Sequence, residues 1–191
     1  MYVSNSLLQK IIRRIFPIGM PRMVGKIRDN NKNKIPKTRI SSSTFIDHPK
    51  ELDLGENVYI GHFNFIEASN GLKISDGVQI TSFIILTTHS SHHSIRLYGN
   101  AYAGKDMIGY IKGPIVIGAY SFIGPHSTIM PNTKIGKGCL VTAYSYVKGD
   151  FPDFSIISGN PAKVIGDTRT IDESFLKENP SLKSNYDAWA K

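Results

Sequence analysis

The chain contains 191 residues, of which 40% are hydrophobic and 20% are charged, and its formal net charge is +8. This composition excludes a chain that is disordered throughout, and the lack of an 18-residue apolar run argues against a membrane-spanning helix. The basic balance favours an anionic partner, such as a phosphorylated cofactor, an acidic membrane surface or nucleic acid, unless the charge mainly serves solubility.

The cysteine content bears on the cellular compartment. Cys139 is the single cysteine, so no intramolecular disulfide can form, and its place among the small residues of a repeat predicts a structural role. No signal peptide with a long apolar segment precedes the predicted fold. We therefore expect a cytoplasmic protein.

Residues 1–39 are predicted to precede the main fold. A basic amphipathic helix is expected over residues 1–16, because residues 6–16 place apolar side chains on one helical face and cations on the other, and Pro17 ends it. Two interpretations stay open: this helix lies peripherally on an anionic membrane, or it caps the end of the fold. Residues 28–39, rich in asparagine and lysine, are expected to form an exposed polar linker.

A six-residue repeat dominates residues 40–167. Aliphatic residues recur at every sixth position, and a small residue stands two positions before most of the later ones. These positions are Leu54, Ile60 and Ile66, then Ile74, Ile80 and Leu86 in a shifted register, and finally Ile117, Ile123, Ile129, Ile135, Val141 and Val147. A helix with 3.6 residues per turn cannot keep a period of six on one face, and a sandwich would show alternation instead.

The repeat therefore predicts a stacked, all-β solenoid. Three six-residue sides close a triangular coil, whose inward aliphatic side chains pack on those of the coils above and below. Backbone amides then pair between coils as in a parallel sheet. The small residues are expected at the crowded corners.

The repeat is interrupted at residues 87–114 and resumes at Ile115. This interruption predicts an excursion loop that leaves the prism. Three of the six histidines, His89, His92 and His93, lie at its root. Histidine is well suited to proton transfer near neutral pH, although histidines in loops are often simply exposed to solvent. The loop root is therefore the candidate catalytic site.

Residues 168–191 are predicted to form a helical tail. A short helix from about Asp172 to Trp189 is expected to close this end of the solenoid, with Asp172 as its N-cap.

The repeats, the loop root from Thr87 to Arg96 and the segment Ser-Gly-Asn-Pro-Ala-Lys-Val-Ile at 158–165 resemble the left-handed β-helix acetyltransferases. The similarity is greatest to the galactoside and maltose O-acetyltransferase group and to polysaccharide O-acetyltransferases, and it covers about residues 52–167. It implies a left-handed parallel β-helix that forms a homotrimer and transfers an acetyl group directly from acetyl-CoA. By this resemblance, His89 is the general base that deprotonates the acceptor.

The resemblance also implies that acetyl-CoA binds between subunits, along the coils that follow the loop. The matching residues are one aromatic residue, three small residues and two lysines: Phe122, Gly124, Ala143, Ala162, Lys148 and Lys163. The small residues would leave room for the pantetheine arm, and the lysines would meet the phosphates. Tight corners of the coil also require small residues, so both interpretations stay open.

The acceptor side departs from the galactoside and maltose pattern, because the asparagine expected near Gly61 is absent and the loop is longer. Candidate acceptor-binding residues are Tyr59, Asn64, Glu67, His92, Tyr98 and Tyr102, since aromatic and polar groups of this kind suit sugars. We expect O-acetylation of a saccharide within a surface polysaccharide or its lipid-linked precursor. N-acetylation of an amino sugar is the alternative.

Functions from other classes are less well supported. A γ-type carbonic anhydrase shares this helix and binds zinc through three histidines, but the paired-histidine spacing is missing from the repeats. An inactive scaffold would lack a base, whereas His89 is present. Nucleic-acid binding rests on net charge alone. We therefore expect neither a bound metal nor a nucleic-acid partner.

Overall fold

The computed structural model describes residues 20–191, so the helix predicted at residues 1–16 lies outside the described residues. The described chain is a left-handed parallel β-helix, as predicted, and its strands form three faces of a triangular prism. Within this part of the chain, no helix has the length and apolar character needed to cross a membrane.

Strands β1 to β20 are numbered in chain order, and each face is one sheet. The first face contains β1 (Met23–Val24), β2 (Arg39–Ser41), β5 (Tyr59–Ile60), β8 (Gln79–Ile80), β13 (Phe122–Ile123), β16 (Leu140–Val141), β19 (Ser155–Gly159) and β20 (Ala162–Asp167). The second face contains β3 (Phe45–Asp47), β6 (Phe65–Glu67), β9 (Ile85–Thr87), β14 (Thr128–Ile129) and β17 (Tyr146–Val147). The third face contains β4 (Leu52–Leu54), β7 (Leu72–Ile74), β12 (Ile115–Ile117), β15 (Thr133–Ile135) and β18 (Asp150–Phe151).

The remaining elements lie outside the three faces. Strands β10 (His89–Ser90) and β11 (Ile111–Lys112) form a separate two-stranded sheet. The α-helices are α1 (Ser94–Tyr98), α2 (Thr168–Glu178) and α3 (Lys183–Ala190), and short 3-10 helices occupy Pro49–Glu51, Gly99–Ala101 and Pro180–Leu182. Each corner is named after the face that it follows, so the second corner joins the second face to the third.

The predicted aliphatic columns form the core. On the first face, Ile60, Ile80, Ile123 and Val141 pair in register from coil to coil, and each side chain is fully buried. The small residue before each aliphatic locks neighbouring coils together. The Ser121 hydroxyl, for example, donates to the carbonyl of Gly136 at 2.9 Å and accepts from the amide of Cys139 at 3.0 Å. Such closely spaced backbone leaves room only for a small polar side chain.

Cys139 occupies the same column, as predicted. It is buried, and burial raises the pKa of its thiol, so the neutral form is favoured. Its Sγ lies 3.2 Å from the carbonyl oxygen of Pro152. This environment is that of a structural cysteine, since a reactive thiol needs exposure and a lowered pKa.

Aromatic residues occupy the first corner in a left-handed backbone conformation. Phe63, Phe83, His126 and Tyr144 have φ values of 58°, 62°, 61° and 60°. Their rings stack in a continuous row, with centroid separations of 5.3, 5.0 and 4.8 Å. A non-glycine residue pays roughly 1–2 kcal/mol for this conformation, and ring stacking offsets part of that cost.

Both ends of the described chain differ from the prediction. The segment 28–39 is only partly an exposed linker, because Ile35 and Thr38 are buried and the Thr38 hydroxyl donates to the carbonyl of Gly55 at 2.9 Å. The end of this segment therefore already belongs to the solenoid, since Thr38 contacts the next coil at the third corner. At the other end, Asp172 is not the N-cap: helix α2 begins at Thr168, and the carboxylate of Asp167 accepts from the amide of Arg169.

The C-terminal tail packs onto the prism through an aromatic side chain. Gly138 has no side chain at the third corner, and the rings of Phe154 and of Trp189 from α3 occupy the space that a Cβ would need, at 2.7 and 3.1 Å. The ring of Trp189 lies 4.6 Å from the ring of Tyr120 and 5.9 Å from that of Phe154. The Nζ of Lys137 also donates to the carbonyls of Trp189 and Ala190 at 3.3 and 3.2 Å. The tail therefore completes a column that the solenoid leaves open.

Candidate active site

The excursion loop leaves the prism at the second corner without disturbing the stacking of the coils. Strand β9, before the loop, pairs in register with β6 and β14, and β12, after the loop, pairs with β7 and β15. At the loop root, β10 and β11 pair antiparallel, with His89 opposite Lys112. His89 is therefore held by a short antiparallel pair of strands and not by an irregular part of the loop.

Glu67 lies directly beneath this loop root. It ends β6, one coil earlier, and pairs with Thr87 in the parallel register. Its carboxylate accepts from Nδ1 of His89 at 2.9 Å, and from the amide and hydroxyl of Thr88 at 2.9 and 2.7 Å. The amide of Ser69 donates to its other oxygen at 2.6 Å. The Glu67 side chain is only 4% exposed, so this network holds it in one position.

The surroundings of Glu67 keep it ionised. Burial alone would raise the pKa of this carboxyl, but hydrogen bonds from Ser69 and Thr88 outweigh burial and lower the pKa from 4.5 to about 2. An ionised carboxylate can only accept hydrogen bonds, so Nδ1 of His89 carries the proton between them. The neutral imidazole then has its lone pair at Nε2, which is the atom that a general base needs.

The exposed side of His89 is bounded by Tyr110. Their rings are stacked at 5.6 Å with an interplanar angle of 8°, and 37% of the histidine side chain is exposed. Among residues 20–191, Nε2 has no hydrogen-bond partner. The imidazole is thus fixed at Nδ1 and on one ring face, and is open to a substrate at Nε2. The role of Tyr110 was not predicted, because only the fold of the loop brings it back to its root.

Three of the candidate acceptor residues lie with His89 in the excursion loop. His92 is exposed, and its Nδ1 lies 2.7 Å from the hydroxyl of Ser90. Desolvation and the nearby positive groups of His93, Arg96 and Lys148 lower the pKa of His92. The hydroxyl of Tyr98 accepts from the amide of Ile108 at 3.3 Å.

Tyr102 is half-buried in the same loop. Glu67 also belongs to this region, but it contacts the ring of His89 from behind, and not from the open side.

Two candidate acceptor residues lie elsewhere. Asn64 is 3% exposed at the first corner, where its amide donates to the carbonyls of Gly61 and Thr81 and accepts from the amide of Ile84. Tyr59 lies on the first face under the guanidinium of Arg39. The structure does not bring either residue to the second corner, where His89 lies.

Most of the residues predicted to bind the cofactor lie at the first corner or on the first face, and Lys148 is the exception. Gly124 and Ala143 lie at that corner, and the β19–β20 hairpin brings Ala162 and Lys163 next to it. Phe122 is exposed on the first face, and Lys148 follows β17 at the second corner. An added Cβ on Gly124 would lie 2.6 Å from the amide nitrogen of Ala143, so packing between coils also requires this glycine.

The histidines of the zinc alternative are dispersed. His62 and His126 lie at the first corner, and His89 lies at the second. Among residues 20–191, one group has three closely spaced ligand atoms: Asp47, His48 and Glu67, with the atoms within 4.8 Å of one another. It includes one histidine, and its Glu67 carboxylate already accepts four hydrogen bonds.

Comparison with known proteins assigns the family. Residues 114–149 match the bacterial transferase hexapeptide family, with six repeats. A putative acetyltransferase of Saccharomyces cerevisiae is 33% identical over 171 residues, which cover 83% of this chain and 78% of the relative. The chain belongs to the hexapeptide-repeat acetyltransferases.

Other relatives of this acetyltransferase have more specific names. The galactoside O-acetyltransferase of Escherichia coli is 27% identical over 76% of the chain and 71% of its own length. The putative lipopolysaccharide biosynthesis O-acetyl transferase WbbJ of Escherichia coli is 31% identical over 58% of the chain and 57% of its own length. A hexapeptide-repeat acetyltransferase from Vibrio cholerae shares the fold, with a TM-score of 0.58, 22% identity, and coverage of 69% of this chain and 71% of that one. These names agree with the family resemblance of the sequence.

Proposed function

We propose that this acetyltransferase transfers the acetyl group of acetyl-CoA to a sugar hydroxyl, with His89 as general base. The observation that supports the proposal most strongly is the Glu67–His89 pair, which fixes the proton at Nδ1 and leaves Nε2 open. A buried carboxylate behind an exposed imidazole is the arrangement that activates a hydroxyl nucleophile in acyl transfer.

The reaction is a direct transfer. Nε2 of His89 removes the proton of the acceptor hydroxyl as its oxygen attacks the thioester carbonyl of acetyl-CoA. The positive charge that develops on the imidazole is stabilised by Glu67, which is 2.9 Å away and ionised. When the intermediate collapses, the C–S bond breaks and the imidazolium returns its proton to the sulfur of CoA. General-base catalysis of this kind contributes about 10²- to 10⁴-fold in rate.

The position of the predicted cofactor residues favours a site shared between subunits. His89 lies at the second corner, whereas Gly124, Ala143 and Lys163 lie at or near the first corner, across the whole second face. Within one chain these three residues do not reach His89, whereas Lys148, at the second corner, lies near the loop root. The second face also exposes large apolar side chains at Phe45, Phe65 and Ile85. A homotrimer that covers this face would bring the base of one chain to the cofactor of another.

We further propose that the acceptor belongs to a surface polysaccharide or its lipid-linked precursor. The similarity to the lipopolysaccharide O-acetyl transferase supports a saccharide of this kind, as do the polar and aromatic residues of the excursion loop. Peripheral membrane contact through residues 6–16 stays a prediction that lies outside the described residues.

The proposal is tested with the full chain and a panel of saccharides. The expected result is transfer of the acetyl group of acetyl-CoA to a hydroxyl, detected by mass spectrometry, and a loss of about 10²- to 10⁴-fold in kcat for His89→Gln. CoA affinity, measured by calorimetry, should not change in this variant. His93→Gln is the matched control, because His93 is an exposed histidine of the same loop that does not contact Glu67.

Three results would contradict the proposal. Normal turnover of His89→Gln would contradict the role of His89 as general base. An N-acetylated product would favour the amino-sugar alternative. A lack of CoA binding, together with zinc-dependent hydration of carbon dioxide, would favour the carbonic anhydrase alternative.

A further inference from the structure

The ring of Tyr110, in the excursion loop, lies on the imidazole of the proposed general base. Tyr110 directly precedes β11, whose pairing with β10 sets Ile111 opposite Ser90. The two rings are parallel to within 8°, with their centroids 5.6 Å apart, and Tyr110 is half-buried. The phenol thus presents its face to His89, while Nε2 of the imidazole stays open.

The backbone around Tyr110 is fixed by the packing of its turn against α1. Gly109 has a φ of 83°, and an added Cβ there would lie 3.0 Å from the Cβ of His93 and 3.2 Å from the Cδ1 of Leu97. Both the conformation and the lack of space favour glycine at this position. The amide of Tyr110 donates to the carbonyl of Met107 at 3.0 Å. The fold of the loop therefore returns Tyr110 to one defined position.

His89 changes its charge during the proposed reaction, and the strength of its contact with Tyr110 changes as well. The imidazole is neutral before the reaction and positively charged while it holds the acceptor proton. The face of an aromatic ring is electron-rich, and it attracts a cation that lies within about 6 Å of the ring centroid. The separation of 5.6 Å meets this condition. The contact therefore stabilises the imidazolium more than the neutral imidazole, and such differential stabilisation accelerates a reaction.

The surroundings of the two rings keep the hydroxyl of Tyr110 neutral. Burial raises the pKa of this hydroxyl, and the negative charges of Glu67 and Asp106 raise it further. Lys112, which lies opposite His89 in the β10–β11 pair, is ion-paired with Asp106 at 3.8 Å. The phenol is therefore uncharged at neutral pH, and it acts on the imidazolium through its ring face.

We propose that Tyr110 is a positioning residue for the general base, and that its ring face stabilises the imidazolium form of His89 during acetyl transfer. The inference rests on the proposed function and adds a second group to the support that Glu67 provides. The proton passes from the acceptor hydroxyl to Nε2 of His89 as the new C–O bond forms, and it leaves with the sulfur of CoA as the C–S bond breaks. Tyr110 neither gives nor takes a proton. Because its ring contacts the imidazole, phenylalanine should be able to replace it.

The first test compares Tyr110→Phe with Tyr110→Leu in the full chain, by steady-state rates of acetyl transfer. Phenylalanine keeps the ring face, whereas leucine keeps an apolar side chain without it. We expect Tyr110→Phe to retain kcat within about twofold, and Tyr110→Leu to lower kcat by about 3- to 10-fold with little change in the KM for acetyl-CoA. Ile108→Ala is the matched control, because Ile108 is 78% exposed in the same turn, and this variant should keep the wild-type kcat.

A series of fluorinated phenylalanines in place of Tyr110 separates the electrostatic effect of the ring from its packing. Fluorine withdraws electron density from the ring face and leaves the shape of the ring nearly unchanged. We expect kcat to fall stepwise from phenylalanine through difluorophenylalanine to pentafluorophenylalanine. Proton NMR of His89 checks the geometry, because the ring current of the stacked residue shifts the imidazole protons upfield. This shift should persist in Tyr110→Phe and in the fluorinated variants, and it should vanish in Tyr110→Leu.

The outcomes distinguish failure of this inference from failure of the proposed function. If Tyr110→Leu keeps the wild-type kcat, if Tyr110→Phe is as slow as Tyr110→Leu, or if the fluorinated series shows no trend, then the role of the ring face is wrong. If His89→Gln loses turnover while kcat stays constant through the fluorinated series, then the proposed function stands and this inference fails. If His89→Gln keeps normal turnover, then both the general base and its support by Tyr110 are wrong.

Discussion

The carboxylate of Glu67 lies 2.9 Å from Nδ1 of His89, although the two residues are separated by one whole coil of the solenoid. The parallel register places Glu67 below Thr87, and the chain then turns His89 back over it. The pair is thus a product of coil stacking and not of a local motif.

Replacing this carboxylate should impair catalysis more than binding. Glu67→Gln keeps the shape of the side chain but allows its amide to donate to Nδ1, which would move the proton of His89 to Nε2. We expect kcat to fall by roughly 10²- to 10⁴-fold, since an equivalent change behind the histidine of serine proteases costs up to about 10⁴-fold. Steady-state kinetics with acetyl-CoA provides the measurement. Retention of more than half of the wild-type kcat would show that Glu67 does not set the tautomer.

The Glu67 carboxylate should make the free energy of unfolding depend on pH in the acid range. The folded state lowers the pKa of Glu67 from 4.5 to about 2, so its contribution is complete above pH 4.5 and is lost as the pH falls toward 2. The contribution amounts to about 3 kcal/mol, because the side chain is nearly fully buried. Urea unfolding at pH 6 and pH 3 measures it. The stability difference between wild type and Glu67→Gln should shrink over this interval, and a constant difference would contradict the prediction.

Asn64 distinguishes a structural role from an acceptor-binding role. Its buried amide makes three hydrogen bonds at the first corner, so Asn64→Ala should lower the free energy of unfolding by about 2–4 kcal/mol. Asn100→Ala, an exposed change in the excursion loop, should have little effect on stability. Denaturant unfolding of both variants gives the comparison. A stable Asn64→Ala variant with a raised acceptor KM would support the sequence-based assignment instead.

Trp189 should hold the C-terminal helices on the prism. Trp189→Ala removes the ring that fills the space above Gly138, and we expect a loss of about 1–3 kcal/mol because the side chain is only partly buried. Hydrogen exchange should accelerate in α3 and not in the central coils. Trp189→Phe, which keeps an aromatic ring, should lower the free energy of unfolding by less than Trp189→Ala does. Unchanged exchange in α3 would show that the tail is held by its other contacts.

The architecture could be predicted from the sequence because the buried columns repeat without exception through the later coils. The position of Glu67 beneath the loop root could also have been predicted. The repeat shifts by two residues between Ile66 and Ile74, which indicates a coil of 20 residues and places Thr87 above Glu67. The two-residue shift predicts this contact once the coils are placed in register on one another.

Other features of the fold could not be predicted from the sequence. The first corner carries Phe63, Phe83 and Tyr144 at positive φ, where propensity favours glycine or asparagine, because neighbouring rings stabilise one another across coils. The sequence predicts Asp172 as a helix cap, whereas strand β20 ends at Asp167 and fixes the cap there. The stacking of Tyr110 on His89 depends on how a long loop returns to its root, and no periodic pattern encodes that path.

The stacking of β9 and β12 has a consequence for how such enzymes diversify. Both strands keep their pairing to the coils on either side, so the prism closes across the excursion loop as if the loop were absent. Glu67 belongs to the scaffold, whereas His89 and the Tyr110 ring that stacks on it belong to the insertion. An insertion of another length or composition can therefore replace this one without disturbing the coils, and the Glu67–His89 pair survives the exchange if a histidine returns to the same place at the loop root.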